Sequence, residues 1–194
     1  MNFENSQLTN VVYFGFQSTL AILTGWTFDG INPFNGDPNM APYNSINLDE
    51  PAVNLEGTNT TFGPNAIEGQ FSVFMQGGSR FAFSGTNGAS IWQTGIIPAS
   101  SISLTYWGGP LAVSFAGQAL SFAAISNAPG YTVWGADISA YSGQTGELRF
   151  TVPWQQAALL DNIQFSSTAV PEPSALALLG FTVTALHLYR RRNF

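Results

Sequence analysis

The sequence predicts a mainly β body, a sandwich or barrel, followed by a single apolar helix at the C-terminus. Two observations predict the body. From residue 71 onward, short alternating apolar runs recur about every 8–13 residues, separated by turn formers. No body segment sustains a period of about 3.6 residues, so no amphipathic helix is expected there. One observation predicts the helix: residues 174–189 carry no charge when His187 is neutral, and three arginines follow at once.

Residues 1–70 are rich in Asn, Gly, Pro and Thr, with short apolar runs. Residues 31–44 (INPFNGDPNMAPYN) are dense in turn formers and read as a long loop. Asp29, Asn35, Asp37 and Asn39 cluster around it without the spacing of a calcium-binding loop, and turn formation accounts for them. Strands are then expected at 71–75, 80–84, 89–96, 101–107, 111–117, 118–126, 131–139, 146–152 and 158–165. Gly108-Gly109-Pro110 reads as a hairpin connection between two of them. On 101–107, Ile102, Leu104 and Tyr106 share one face, and Trp107 falls on the other.

Composition removes several function classes. Charged residues make up 8% of the chain, and there is no lysine. The body, taken to Ala169, holds ten acidic residues against Arg80 and Arg149, which excludes a nucleic-acid partner that attracts cations through its phosphates. It equally disfavours docking on an anionic membrane surface. Aromatics at 14% and hydrophobics at 45% supply a packed interior and argue against disorder. There is no cysteine, so disulfides, thiolate metal sites and thiol nucleophiles are absent. The sole histidine, His187, lies in the terminal helix, which leaves the body without imidazole acid–base chemistry or a Ser-His-Asp triad. Carboxylates alone remain for catalysis, and no pair sits in a recognisable glycosidase motif. The body is therefore expected not to be an enzyme, a carboxylate glycoside hydrolase being the weakest alternative.

The C-terminal segment has its own logic. Residues 166–173 form a polar, proline-containing linker, in which Pro171 and Pro173 favour extended backbone. Ser174 is placed to cap a helix over 174–189. Sixteen helical residues span about 24 Å against a hydrocarbon core of about 30 Å, and long arginine side chains relieve the difference. Arg190, Arg191 and Arg192 should stay cytoplasmic within a basic tail of residues 190–194, leaving the body outside. Val170, Pro171, Glu172, Pro173 and Ser174, the apolar helix and the arginine cluster together resemble the PEP-CTERM sorting signal. That resemblance implies an exosortase-type processing enzyme as partner, recognition of Pro171-Glu172-Pro173 and removal of the helix. It further implies a Gram-negative host that makes exopolysaccharide, with the protein held transiently in the inner membrane and then at the cell surface or outside the cell. Such a tail requires an export signal, yet residues 1–10 carry Glu4 and no basic residue, and the run 11–23 is broken by Gln17, Ser18 and Thr19. The true start is expected upstream of Met1.

The body carries a second resemblance. Asn2–Asn5 (NFEN), Gly25–Gly30 (GWTFDG), 136–152 and Ala158–Phe165 (ALLDNIQF) are similar to segments of galactose-binding-like and carbohydrate-binding jelly-roll domains. The resemblance implies a jelly-roll-type antiparallel β-sandwich over residues 1–165, with Trp26 in its core. It implies that first and last strands lie together and that acidic residues there hold a structural Ca²⁺, with Glu4 and Asp161 as candidates. Residues 31–65 match none of its motifs. Sugars are bound by flat aromatic rings beside hydrogen-bonding side chains. Trp107 is the foremost candidate platform, then Trp154 after Pro153, with Tyr106, Trp92, Trp134 and Gln93 further candidates. The expected function is an exported surface or extracellular-matrix protein whose body binds carbohydrate, exopolysaccharide being the candidate partner. The rival is a purely structural surface protein without a defined ligand.

Overall fold

A computed structural model describes residues 3–13, 16–29, 40–44, 50–60, 64–78 and 88–170. The expected strand at 80–84 and the whole tail from Pro171, with the sorting motif, helix and arginines, lie outside the described residues. The described chain is mainly β. Its helical element is a single 3₁₀ turn at Ser139–Tyr141, and among the described residues no helix is long and apolar enough to cross a membrane.

Among the described residues, fourteen strands form three antiparallel sheets. β1 (Gln7–Tyr13), β2 (Phe16–Ile22) and β4 (Met40–Pro42) make a small sheet in the order β1-β2-β4. β3 (Thr27–Asp29), β7 (Ala89–Ile96), β9 (Ala112–Phe115), β10 (Gln118–Leu120) and β13 (Thr145–Val152) make a five-stranded sheet, β10-β9-β13-β7-β3. β5 (Pro51–Glu56), β6 (Ser72–Gly77), β8 (Ser103–Gly108), β11 (Ala123–Ala128), β12 (Tyr131–Asp137) and β14 (Ala157–Ser166) make a six-stranded sheet, β11-β12-β8-β14-β6-β5.

The two larger sheets pack face to face, because alternation gives each strand one apolar side. Leu104 and Tyr106 of β8, Leu160 of β14 and Val73 and Met75 of β6 meet Ile91 of β7, Phe115 of β9 and Phe150 of β13 in one buried cluster. Tyr106 and Phe150 touch edge to face across the gap, their ring centroids 5.6 Å apart. Trp26 closes one side against Phe3 and Phe150, in the core as expected. Burial pushes the Tyr106 phenol up to about 12, so it stays a neutral donor.

Strands β6, β7, β8, β9, β12, β13 and β14 fall on the expected runs, and three expectations are corrected. Gly108-Gly109-Pro110 is no hairpin: β8 and β9 belong to different sheets, so the segment carries the chain across the sandwich. The Tyr106 hydroxyl fixes that crossing by donating to Gly109 O (3.3 Å) and accepting from Leu111 N (3.1 Å). The run 118–126 is two strands in opposite sheets, broken at residues 121–122, where Phe122 turns in against Tyr106. The loop reading of 31–44 fails at Met40–Pro42, which pairs with β2. β4 is an edge, where proline's missing N–H costs no ladder bond, so pairing overrides turn propensity.

Phe150→Ala should lower stability by about 3–5 kcal/mol, since it empties the ring's place between the sheets. Equilibrium urea unfolding measures this; a loss under 1 kcal/mol would show that the two sheets do not share this core.

Candidate functional site

The six-stranded sheet has a second face, turned away from the core, on which two of the candidates, Trp107 and Asp161, lie. One transverse row of this outer face can be read from register and contact. Glu56 of β5 stands opposite Ser72 of β6, and Ser72 donates its hydroxyl to Asp161 of β14 at 2.7 Å. Asp161 is opposite Trp107 of β8, and Trp107 is opposite Val133 of β12.

At the β8 end of the row the aromatics form a platform. Trp107 points outward as its parity requires and stacks on Tyr131 of β12, with centroids 4.8 Å apart and planes 15° from parallel. Both rings are half-buried. Tyr131 lines a shallow depression of about 450 Å³ with Phe74, Gly109, Asn127, Thr132 and Leu159, and among the described residues no charged one lines it. Tyr131 escaped the sequence reading, although its alternation with Val133 put it on the same side as Trp107 once β8 and β12 were paired.

The other aromatic candidates separate clearly. Tyr106 is fully buried and has no ring face left for a ligand, so that candidacy is corrected: its side of β8 is the core. Trp134 is half-buried against Tyr106 and donates its indole N–H to Gly108 O. Trp92 lies on the outward face of the five-stranded sheet beneath the Arg149 guanidinium, 3.8 Å from the ring centre. Arg149 is in turn bonded to Glu147 (2.8 Å) and paired with Asp29 (3.6 Å). Trp154 is 42% exposed, at the tip of the turn joining β13 and β14. The turn is closed by Gln156 N donating to Pro153 O, with Gln155 at φ 60°, and is tied to β6 by Gly77 N to Gln156 O and Gln155 N to Gly78 O.

The metal candidates share one cleft. Glu4, Glu68, Gly69, Gln70, Asp161, Asn162 and Gln164 line a space of about 520 Å³. Glu4 comes from the segment before β1, Glu68 from the β5–β6 connection and Asp161 from β14. A bulge in β14 between Asp161 and Gln164, with Asn162 at φ 46°, lets Asp161 face outward while Ile163 returns to the core. Glu4 accepts the backbone N–H groups of Gln70 (2.9 Å) and Phe71 (3.1 Å). Gly69, at φ 63°, leaves room for that carboxylate where any side chain would collide with it. Asp161, 2% exposed, accepts from Ser72, from Asn162 N (2.7 Å) and from the Glu68 amide. Asn162 donates to Glu68 at 2.9 Å and accepts from Gln164. Burial, reinforced by the nearby Glu4 charge, holds the Asp161 pKa above its ordinary value despite these donors.

The donor set is all oxygen, which suits a hard cation and gives zinc no nitrogen or sulfur. Three carboxylates line the cleft with no cationic side chain among its lining residues. Yet among the described residues no three acidic or histidine side chains are gathered closely enough to hold a metal by themselves. Glu4 and Asp161 also already serve as anchors for the 68–72 backbone. A Ca²⁺ here would therefore rely on amide and main-chain oxygens as well.

At the far end of the row, Glu56 is fully buried, and among the described residues neither carboxylate oxygen has a hydrogen-bond partner. Burial pushes its pKa up to about 8. Nothing in the sequence singled it out, because β5 is buried on both sides and shows no alternation.

A carboxyl whose pKa is raised on folding contributes stability that is present below its unfolded value and is lost as pH rises through its folded value. Stability should accordingly fall between about pH 4.5 and about pH 8, with Asp161 adding in the same direction. Glu56→Gln should raise stability at pH 8 by on the order of 3 kcal/mol and flatten that slope. Urea unfolding of both forms at pH 5 and pH 8 checks this, and an unchanged slope in the variant would refute the assignment.

Comparison with known proteins finds no matching family model, no matching curated protein and no matching solved structure.

Proposed function

We propose that the chain is an exported surface or matrix protein, sorted through its PEP-CTERM tail, whose body is a non-enzymatic carbohydrate-binding module of jelly-roll type. The stacked Trp107–Tyr131 pair carries the binding half of this reading. Two large rings stand half-exposed on a sheet face, beside an uncharged depression edged by Asn127 and Thr132. Such a surface suits the apolar face and hydroxyl rim of a neutral sugar. Trp154, on its fixed turn beside the exposed Gln155 and Gln156, offers a second ring. The passage of the chain between sheets at β7–β8–β9 and again at β12–β13–β14 supports the jelly-roll assignment.

A hydrolytic reading fares worse. A glycosidase needs two carboxylates presented across a bond. Glu4 and Asp161 turn their oxygens to protein N–H and O–H groups instead. A structural Ca²⁺ in the acidic cleft would be held by Glu4, Asp161 and Glu68 together with amide and main-chain oxygens, would neutralise the repulsion between Glu4 and Asp161, and would pin the β5–β6 connection to β14.

A glycan array probed with the full chain in detergent should return a neutral glycan. Trp107→Ala should weaken binding about tenfold, while Trp92→Ala, whose ring is already covered by Arg149, leaves it unchanged. No bound glycan, or an unaffected Trp107→Ala, supports the purely structural reading. Calcium should raise the unfolding temperature and EDTA should reverse the rise, with a gain of about 2.7 kcal/mol at a hundredfold excess over Kd. Glu68→Gln should abolish that gain; no response to calcium would leave the cleft as a backbone anchor alone. In a host bearing an exosortase, Glu172→Ala or deletion of 174–194 should stop processing of the tail, and processing of both variants at the normal rate would sink the sorting assignment.

A further inference from the structure

The five residues before the sorting motif are not a free tether. After β14 the chain folds back over the outer face of the six-stranded sheet. Ile102 N donates to Ser166 O at 2.7 Å, and Thr168 N donates to Ser166 Oγ at 3.0 Å. Ser103, 2% exposed, donates its hydroxyl to Thr168 O at 2.7 Å. Val170 then settles, half-buried, over β12 at Gly135. A Cβ on Gly135 would lie 2.9 Å from Val170 Cγ2 and would collide with Ile125 of β11. Gly135 is a mid-strand glycine without a positive φ, so backbone conformation does not call for it. Glycine weakens a strand interior and marks places where another segment approaches closely. Here the space is shared by the Ile125 side chain of β11, which comes nearest, and by Val170 of the chain's own linker.

We propose that Gly135, Ile125 and Ser103 form a docking seat for residues 166–170, and that this docked strap competes with the processing enzyme for the sorting motif. The proposal rests on the PEP-CTERM reading. Val170 is the last docked residue, and the Cα of Pro171 must follow it by about 3.8 Å. An enzyme that cleaves a peptide engages it in extended form, with several residues on each side of the site. While the strap is seated, the residues on the N-terminal side are bonded to β8 and packed on β12. The strap must lift before they can enter an active site. Its hold consists of a few hydrogen bonds and one valine, which is weak enough to be reversible.

The test keeps the motif intact. Ser103→Ala removes the bond to Thr168 and should speed tail processing about threefold to tenfold in an exosortase-bearing host. It should also speed hydrogen exchange at the Thr168 amide in the full chain in detergent. The chain has no cysteine. In Ser103→Cys combined with Thr168→Cys, disulfide formation is scored first by mass; once it has formed the strap is locked, and processing should stop when it is oxidised and resume when it is reduced. Normal processing of the oxidised double variant, or an unchanged rate in Ser103→Ala, overturns the strap while leaving the sorting reading standing. A wild-type chain left whole by the same host removes both.

Discussion

The contact on which the rest depends is the meeting of Tyr106 and Phe150 between the sheets. Each ring commits its strand to one orientation. Once Tyr106 faces inward, alternation forces Trp107 outward, and pairing with β12 sets Tyr131 within stacking distance. The Tyr106 hydroxyl also fixes the crossing from β8 to β9, so one side chain sets both the core and the path of the chain. Because the body has few charges and no disulfide, apolar contact of this kind supplies most of what opposes chain entropy.

The outer face shows what happens when polar groups are placed in a row without cations. Glu56, Ser72 and Asp161 run from the sheet edge toward the aromatic pair, and the three are almost fully buried. Their solutions differ. Asp161 is satisfied by three donors, and Ser72 relays between it and Ile67 N. Glu56 has none among the described residues and is kept neutral by burial. Asp161 and Trp107 are register partners, so the acidic cleft and the aromatic pair stand side by side in one row.

Seven of the strands from residue 71 onward, β6 to β9 and β12 to β14, were legible because half-burial writes alternation into the sequence. The outward Trp107 followed from the same rule. β5 was not legible, since burial of all six of its residues erases the period. β4 was hidden among turn formers whose edge pairing with β2 is decided by a distant segment. Local residues equally could not show that Gly108-Gly109-Pro110 leaves one sheet for the other, because a hairpin and a crossing can use the same glycines. Glu4 and Asp161 line one cleft, but not through the adjacent first and last strands that the resemblance implied: β1 pairs with β2 in the small sheet while β14 lies between β8 and β6, and Glu68, which completes the cleft, sits in a connection with no matched motif.

The position of β14 has a consequence for timing. It is the last strand among the described residues, yet it lies inside the six-stranded sheet between β8 and β6. Until residues 157–166 arrive, β6 and β8 each expose an unpaired edge, and the core lacks Leu160 and Ile163. A chain threaded through a membrane from its N-terminus would thus remain open for nearly its whole passage. Only when the segment just ahead of the tail emerged could the sheet close, so an anchor at that end would hold the finishing strand within reach of its gap.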